Sequence, residues 1–313
     1  MSGDSEIVQS GNPTEPATPL PDGIDGDHPM KTLLAKLRLY WPLTKSLQTG
    51  LLLSTGLAGY MSARCPVTHW YDFFGLGVSL FMAIAGSTIL NMWYDRDLDS
   101  VMDRTHHRPL ASGLVAQQEA LRLGVALSIL GVGLAAAMSP LYGLIVFAGL
   151  FFDVVVYTLW LKRRTCWSIV WGGISGGMPI LAGRAFGLGT VDGIGILLAL
   201  AVLFWIPTHI LTFSMRYFDD YKAARIPTFP STYGFAVTRA TISISSVIAA
   251  LSIGSAAVLI GVEWGFVRLL AVLSAGLLLL ATASTFRPSE RVNFGLFKYA
   301  SLYMLSAMVL LSI

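Results

Sequence analysis

The sequence predicts an all-α polytopic membrane protein: a bundle of about nine transmembrane helices around a polar pocket that faces the cytoplasm. Three observations predict it. Of 313 residues, 54% are hydrophobic and 12% charged, and the mean hydropathy is +0.66, too apolar for an ordinary soluble domain. Apolar stretches near the length that spans hydrocarbon recur from residue 46 to the end. Lysine and arginine crowd alternate loops, the asymmetry that orients membrane proteins. Backbone polar groups in lipid must be satisfied within the chain, so the spans are read as helices. The small net charge of +3 gives no reason to expect a nucleic-acid partner. Cys65 and Cys166 lie far apart and match neither a metal spacing nor a disulfide framework.

Residues 1–30 carry Asp4, Glu6, Glu15, Asp22, Asp25 and Asp27 with no Lys or Arg, and read as a disordered acidic tail ahead of a membrane domain over 31–313. The tail lacks the basic start and apolar run of a signal peptide and the arginines of a mitochondrial transit peptide. A bacterial plasma (inner) membrane is expected by elimination. A basic amphipathic lead-in follows over 31–45, with Lys36 and Arg38 among leucines, Tyr40 and Trp41, and is expected at the lipid surface.

The spans are placed at 46–63, 73–94, 118–138, 140–160, 167–187, 193–214, 240–261, 265–285 and 295–313. The N-terminal flank and the loops after the second, fourth, sixth and eighth spans carry most of the cations, whereas the opposite loops carry Arg64, Arg184 and Arg268. The N-terminus and the even loops are therefore expected in the cytoplasm and the C-terminus outside.

The second span runs into a polar stretch in which Asn91, Asp95 and Asp99 recur every four residues. At about 40° of drift per step they share one helical face. Two carboxylates and an amide oxygen on one face suit Mg²⁺ held together with substrate phosphates. Arg104 and Arg108, also four apart, are placed to clamp phosphate oxygens. The plainer alternative is a solvated helix end with local ion pairs.

The fourth span ends Tyr157-Thr-Leu-Trp-Leu-Lys162-Arg163-Arg164-Thr165, which by itself reads as a topology anchor. The fifth, Gly- and Ser-rich from Trp171 to Gly183, is read as tight helix packing, with Arg184 at its end. In the sixth, Pro207 is expected to kink the helix near His209. An imidazole inside an apolar run is either functional or a satisfied core group. Asp219-Asp220 forms a second acidic cluster on the side of the first. Beyond Tyr233 the chain looks structural, and no nucleotide-binding loop, zinc spacing or nucleophile elbow stands out.

Asn91-x-x-x-Asp95-x-x-x-Asp99, followed by Met102-x-Arg104-Thr-x-x-Arg108-Pro-Leu, resembles the first signature of the UbiA superfamily of intramembrane prenyltransferases. The wording Asn-Met-Trp-Tyr-Asp-Arg-Asp-Leu-Asp, the 157–165 segment, and Trp205-x-Pro207-x-His209 with Asp219-Asp220-Tyr221 resemble its haem-farnesylating branch. Thr208 stands where that branch has a second Pro, Arg225 replaces a small residue, and Thr228-Phe229 replaces Met-Leu. Arg184 stands where an aromatic residue is usual. The quinone branch carries Asp-x-x-x-Asp in the second signature, and here Ala223 and Ala224 break that spacing.

The resemblance implies Mg²⁺-dependent transfer of a farnesyl group from farnesyl diphosphate to a vinyl group of haem b, giving haem O. It implies that Asn91, Asp95, Asp99 and Asp219 hold the metal, with Asp220 beside them. Arg104, Arg108, Lys162, Arg163 and Tyr157 would complete the substrate site. Asp95, Asp99, Asp219 and His209 are the expected catalytic residues, His209 as ligand of the haem iron or as the base that activates water. A downstream haem-modifying enzyme or an oxidase under assembly is the partner implied. The alternatives are a relative that prenylates an aromatic acid or quinone precursor, a transporter, and a haem-carrying subunit.

Overall fold

The structure is a computed structural model that describes residues 37–64 and 70–313. The acidic tail expected over 1–30, most of the basic lead-in and Cys65 lie outside the described residues. Residues Arg38–Ile313 form one compact unit.

A short 3₁₀ turn, Trp41–Thr44, leads into α1, Ser46–Met61. There follow α2 (Trp70–Tyr94), the short α3 (Arg96–Val101), α4 (Gln117–Met138) and α5 (Pro140–Leu150), which continues as a π-helix over Phe151–Leu161. Then come α6 (Ser168–Leu188), α7 (Gly193–Arg216), the short α8 (Phe218–Ala223), α9 (Phe229–Ile260), α10 (Trp264–Phe286) and α11 (Glu290–Ser312). Nine long helical segments among the described residues thus occupy the nine expected places. Seven of them are long and apolar enough to cross a membrane. The other two are α1, with only 16 residues, and α6, whose apolar run is diluted by glycines, serines and Arg184.

Three of the helices start where a side chain satisfies a free N–H group. Asp192 accepts from the Gly195 amide at 2.8 Å to begin α7, and Ser289 accepts from Val292 at 3.2 Å to begin α11. Thr228 and Ser231 form a reciprocal capping box at the start of α9. That cap starts α9 at Phe229, earlier than the expected 240, with a break in helical geometry at Gly234 (φ 78°, ψ 168°). The left-handed φ there is one that glycine adopts without strain. Pro207 lies inside a continuous α7.

The tight packing read from the glycine-rich span is present. A Cβ on Gly183 would collide with the carbonyl of Gly56, and one on Gly59 with the carbonyl of Ile180, so α1 and α6 touch backbone to backbone. One buried cluster joins α6, α7, α9, α10 and α11 through Ile180, Leu198, Trp205, Ile253, Leu277 and Tyr303. A second joins α1, α2, α4 and α5 through Tyr60, Leu76, Leu80, Ala135 and Tyr142.

Arg184 closes the end of the bundle opposite the polar stretches. Its guanidinium donates to both oxygens of Asp192, at 2.8 and 2.7 Å, and to the Ser62 carbonyl at 2.6 Å. It thereby ties the ends of α1, α6 and α7 together, and its hydrogen bonds hold the Asp192 carboxyl below the usual carboxylate range.

Candidate active site

The site is built on the end of α2. Helical hydrogen bonding passes through the polar stretch: the Asp95 amide donates to the Asn91 carbonyl at 2.9 Å and the Asp99 amide to the Asp95 carbonyl at 2.8 Å. The four-residue register therefore survives the change from α2 to α3 at Asp95, and Asn91, Asp95 and Asp99 all line one cavity.

Each acidic residue of α3 and its junction has a cation. Lys162 donates to Asp95 Oδ2. Arg108 Nη1 donates to both oxygens of Asp99, at 3.0 and 2.8 Å. Arg163 forks onto Asp97 with two 2.7 Å bonds, donates to the Tyr94 carbonyl, and lies 4.4 Å over the Tyr94 ring. That fork holds the Asp97 carboxyl below its ordinary range. Asp95 Oδ1 is different: it is buried and has no hydrogen-bond partner. Arg163 Nη2 lies 3.9 Å from it.

Below Asp95 lies a network that the sequence reading missed. The Asn91 amide donates to Asp153 Oδ2 at 3.0 Å, Ser87 Oγ donates to the same oxygen, and Thr158 Oγ1 donates to Asn91 Oδ1 at 2.6 Å. Asp153, Thr158 and Tyr157 sit on the π-helical part of α5, where the Lys162 amide bonds the Tyr157 carbonyl five residues back at 2.8 Å. Stretches of π-helix occur mostly at functional sites. A carboxylate within the apolar 140–161 run was the available signal.

The second signature packs on the first. Tyr221, Ala224 and Ile226 form an apolar cluster with Leu98 and Met102, so α8 lies beside α3. Tyr221 lines the cavity, whereas Asp219 is exposed and Asp220 half-buried, and neither lines it. Helix positions turn by about 100° each, so a Tyr221 that faces inward turns Asp219 away. Among the described residues no three His, Cys, Asp or Glu side chains converge as a metal cage.

Across the cavity, α7 presents His209. Its ring is stacked between Trp205 and Phe297, with centroids 5.0 and 4.5 Å away, and Nδ1 lies 3.2 Å from Ser301 Oγ. Arg104 is on this side as well. Its guanidinium lies 4.8 Å over the Phe213 ring and 5.3 Å over the Tyr217 ring, away from the cations that hold Asp95, Asp97 and Asp99. Lys45, at the start of α1, is a further cation in the cavity wall that the sequence reading had placed in the lead-in.

The cavity measures about 1050 Å³. Its polar end carries Lys45, Asp95, Asp99, Arg104, Arg108 and Lys162, and it reaches among Leu80, Ala83, Val146, Met178 and Pro179 deep in the bundle. Arg163 pairs behind the wall, and Arg184 is remote from it.

A helical membrane bundle that holds a charged mouth above an apolar cavity has the form of an intramembrane transferase for amphiphilic substrates. The sequence profile of the UbiA prenyltransferase family matches residues 52–302, and the chain belongs to that family. A protoheme IX farnesyltransferase of Archaeoglobus fulgidus is 38% identical over 281 residues, 88% of this chain and 95% of that one. Among solved structures, a digeranylgeranylglyceryl phosphate synthase superposes with a TM-score of 0.74 at 18% identity, over 90% of this chain and 98% of that one. A UbiA homologue of Archaeoglobus fulgidus, bound to GPP and Mg²⁺, superposes with a TM-score of 0.62 at 19% identity, over 88% of this chain and 99% of that one. At these identities the two structures establish the fold.

Proposed function

We propose that the protein transfers a farnesyl group from farnesyl diphosphate to a vinyl group of haem b, giving haem O. The observation that carries the donor half is Asp95. A buried carboxylate oxygen without a partner, at the polar end of an apolar cavity, is an acceptor kept for a cation. The acceptor half rests on His209 in the opposite wall and on the 38% identity to a protoheme IX farnesyltransferase.

The residues fit Mg²⁺. Asn91, Asp95 and Asp99 are hard oxygen donors on the cavity wall. Asp219 and Asp220 sit on α8, beside α3, but do not line the cavity, so the first signature carries the metal donors in this reading. Mg²⁺ bound there would supply charge neutralisation for the departing diphosphate. Arg108 and Lys162 stand at the same mouth, and Arg163 just behind it, to take up the remaining negative charge as the allylic C–O bond breaks and its electron pair leaves with the diphosphate. Tyr157 closes the wall above Lys162, whose ammonium lies 5.7 Å from its ring centroid. The prenyl chain lies in the apolar part, away from water. The terminal vinyl carbon bonds to C1 of the farnesyl group, water bonds to the inner vinyl carbon, and that water loses a proton. With Nδ1 engaged by Ser301, His209 offers Nε2 to the haem iron or to this water.

The reading places the enzyme in a bacterial plasma membrane with the N-terminus and polar mouth cytoplasmic and the C-terminus outside, upstream of a haem-modifying enzyme or oxidase. Membranes that contain the protein, Mg²⁺, haem b and farnesyl diphosphate test the reaction. Mass spectrometry of the extracted haem is expected to show a gain of farnesyl plus water. Unchanged haem with a folded protein refutes the acceptor, and an aromatic acid converted instead would replace it.

Lys45 adds a pH dependence. Burial, then the charges of Arg108 and Lys162, lowers it to about 8. Its folded value lies below the unfolded lysine value of about 10.4, so the folded chain sheds this proton first, and stability gains from Lys45 as pH rises between the two. Donor binding runs the other way. Above pH 8 the free protein loses this positive charge, and affinity for a non-reactive prenyl thiodiphosphate is expected to fall by up to about tenfold per pH unit. Lys45→Arg is expected to remove this inflection, because a guanidinium stays charged. An inflection that persists unchanged in that variant assigns it to another group.

A further inference from the structure

We propose that Arg104 is a specificity residue of the acceptor subsite, where it pairs with a carboxylate on the edge of the acceptor and not with the diphosphate of the donor. This inference rests on haem as the acceptor. The cations that serve the donor end are already spoken for: Arg108 holds Asp99, Lys162 holds Asp95 and Arg163 holds Asp97. Arg104 has no ion-pair or hydrogen-bond partner among the described residues, and its Nε is buried without one. A buried donor left unpaired calls for an anion or another acceptor from the ligand.

The direction of the side chain decides which ligand. Arg104 follows the buried Met102, and Thr105 behind it is fixed by a 3.0 Å hydrogen bond from its hydroxyl to the Asp99 carbonyl. The chain over 102–116 is a run of turns, so Arg104 and Arg108 do not share a helical face. Arg108 points back to α3, while Arg104 reaches across to α7.

From Arg104 an aromatic ladder descends to His209. Phe213 packs on Tyr217 at 4.6 Å and on Phe297 at 5.5 Å, and Phe297 stacks on His209 at 4.5 Å. Along α7, Tyr217, Phe213, His209 and Trp205 follow at four-residue steps of about 6 Å. A flat macrocycle with its centre at His209 and its carboxylates toward the mouth brings those carboxylates under Arg104. The same aromatic surface carries Arg216, 4.1 Å over Phe294, and Lys298, 4.5 Å over the same ring. Neither has an ion-pair partner among the described residues. Arg104, Arg216 and Lys298 thus all lie against this aromatic surface, and a guanidinium pairs with a carboxylate through two parallel hydrogen bonds.

The test compares haem b with its dimethyl ester, in which both propionates are neutral, using the full-length protein in lipid nanodiscs. The wild type is expected to bind and farnesylate haem with a KM about tenfold below that of the ester. Arg104→Gln is expected to raise the KM for haem about tenfold, to leave the KM for farnesyl diphosphate within about twofold, and to abolish the discrimination against the ester. Arg104→Lys is expected to restore part of it. Soret titrations without donor give the same ordering without turnover.

A rise in the KM for farnesyl diphosphate, with haem unaffected, would return Arg104 to the donor site. Equal loss of haem and ester would make its role structural, and a wild type that does not distinguish them would overturn the inference without any variant. If the wild type neither binds nor farnesylates haem, the proposed function falls and this inference with it. If it does both and the preference ignores Arg104, only this inference falls.

Discussion

Asparagine in place of Asp95 is expected to lower prenyl transfer by about 10²–10³-fold with the fold intact, the scale on which a single preorganised group at a developing charge acts. Asp95 is 4% exposed. One of its oxygens is bound to Lys162, and the other is buried without a partner. Unsatisfied buried acceptors cost about 1–3 kcal/mol, a cost that the proposed Mg²⁺, arriving with the substrate, would remove. The amide keeps the volume, the helix and one acceptor, but it removes the charge that attracts the metal and leaves Lys162 facing a neutral group. The checks are single-turnover transfer at saturating Mg²⁺ and farnesyl diphosphate, and a thermal unfolding midpoint close to wild type. A fall of less than about tenfold in a folded variant would remove Asp95 from the centre of the site.

The sequence was most legible where the membrane imposes the rule. A span must be long and apolar, so hydropathy found all nine long helices, and its errors lie at their ends. The clearest is α9, where the cap at Thr228 starts the helix about three turns before the expected 240, across a break at Gly234 that composition does not mark. Four-residue spacing puts side chains on one wall only where the chain is helical. Asn91, Asp95 and Asp99 share a wall because α2 hands its hydrogen bonding on to α3. Arg104 and Arg108 have the same spacing, but they sit in turns and diverge to opposite walls. Asp219 and Asp220 were read as facing the pocket, but a helix can turn only part of its surface inward, and Tyr221 takes that place. The π-helical segment has no signature in composition. What marked it was Asp153, a carboxylate within a hydrocarbon-length run.

Asp153 provides the second large effect. Asp153→Leu is expected to lower transfer by about 10–100-fold, as the loss of a group that orients a metal ligand generally does, and to raise the Mg²⁺ concentration needed for half-maximal rate. Asp153 holds the Asn91 amide nitrogen and the Ser87 hydroxyl on one oxygen, while Thr158 fixes the Asn91 carbonyl oxygen from the other side. Leucine strands both donors in an apolar wall and frees the amide to rotate, so the oxygen offered to the metal loses its fixed direction. Thr158→Val tests the same geometry from the opposite side and leaves Asp153 in place. Asp153→Asn, with its amide oxygen in the place of Oδ2, keeps an acceptor for both donors and is expected to lose less than leucine does. If Asp153 only stabilised the bundle, all three variants would lower the unfolding midpoint and leave the Mg²⁺ dependence where it was. A Mg²⁺ requirement that moves with Asp153→Leu and with Thr158→Val, out of proportion to stability, assigns the network to the aim of Asn91.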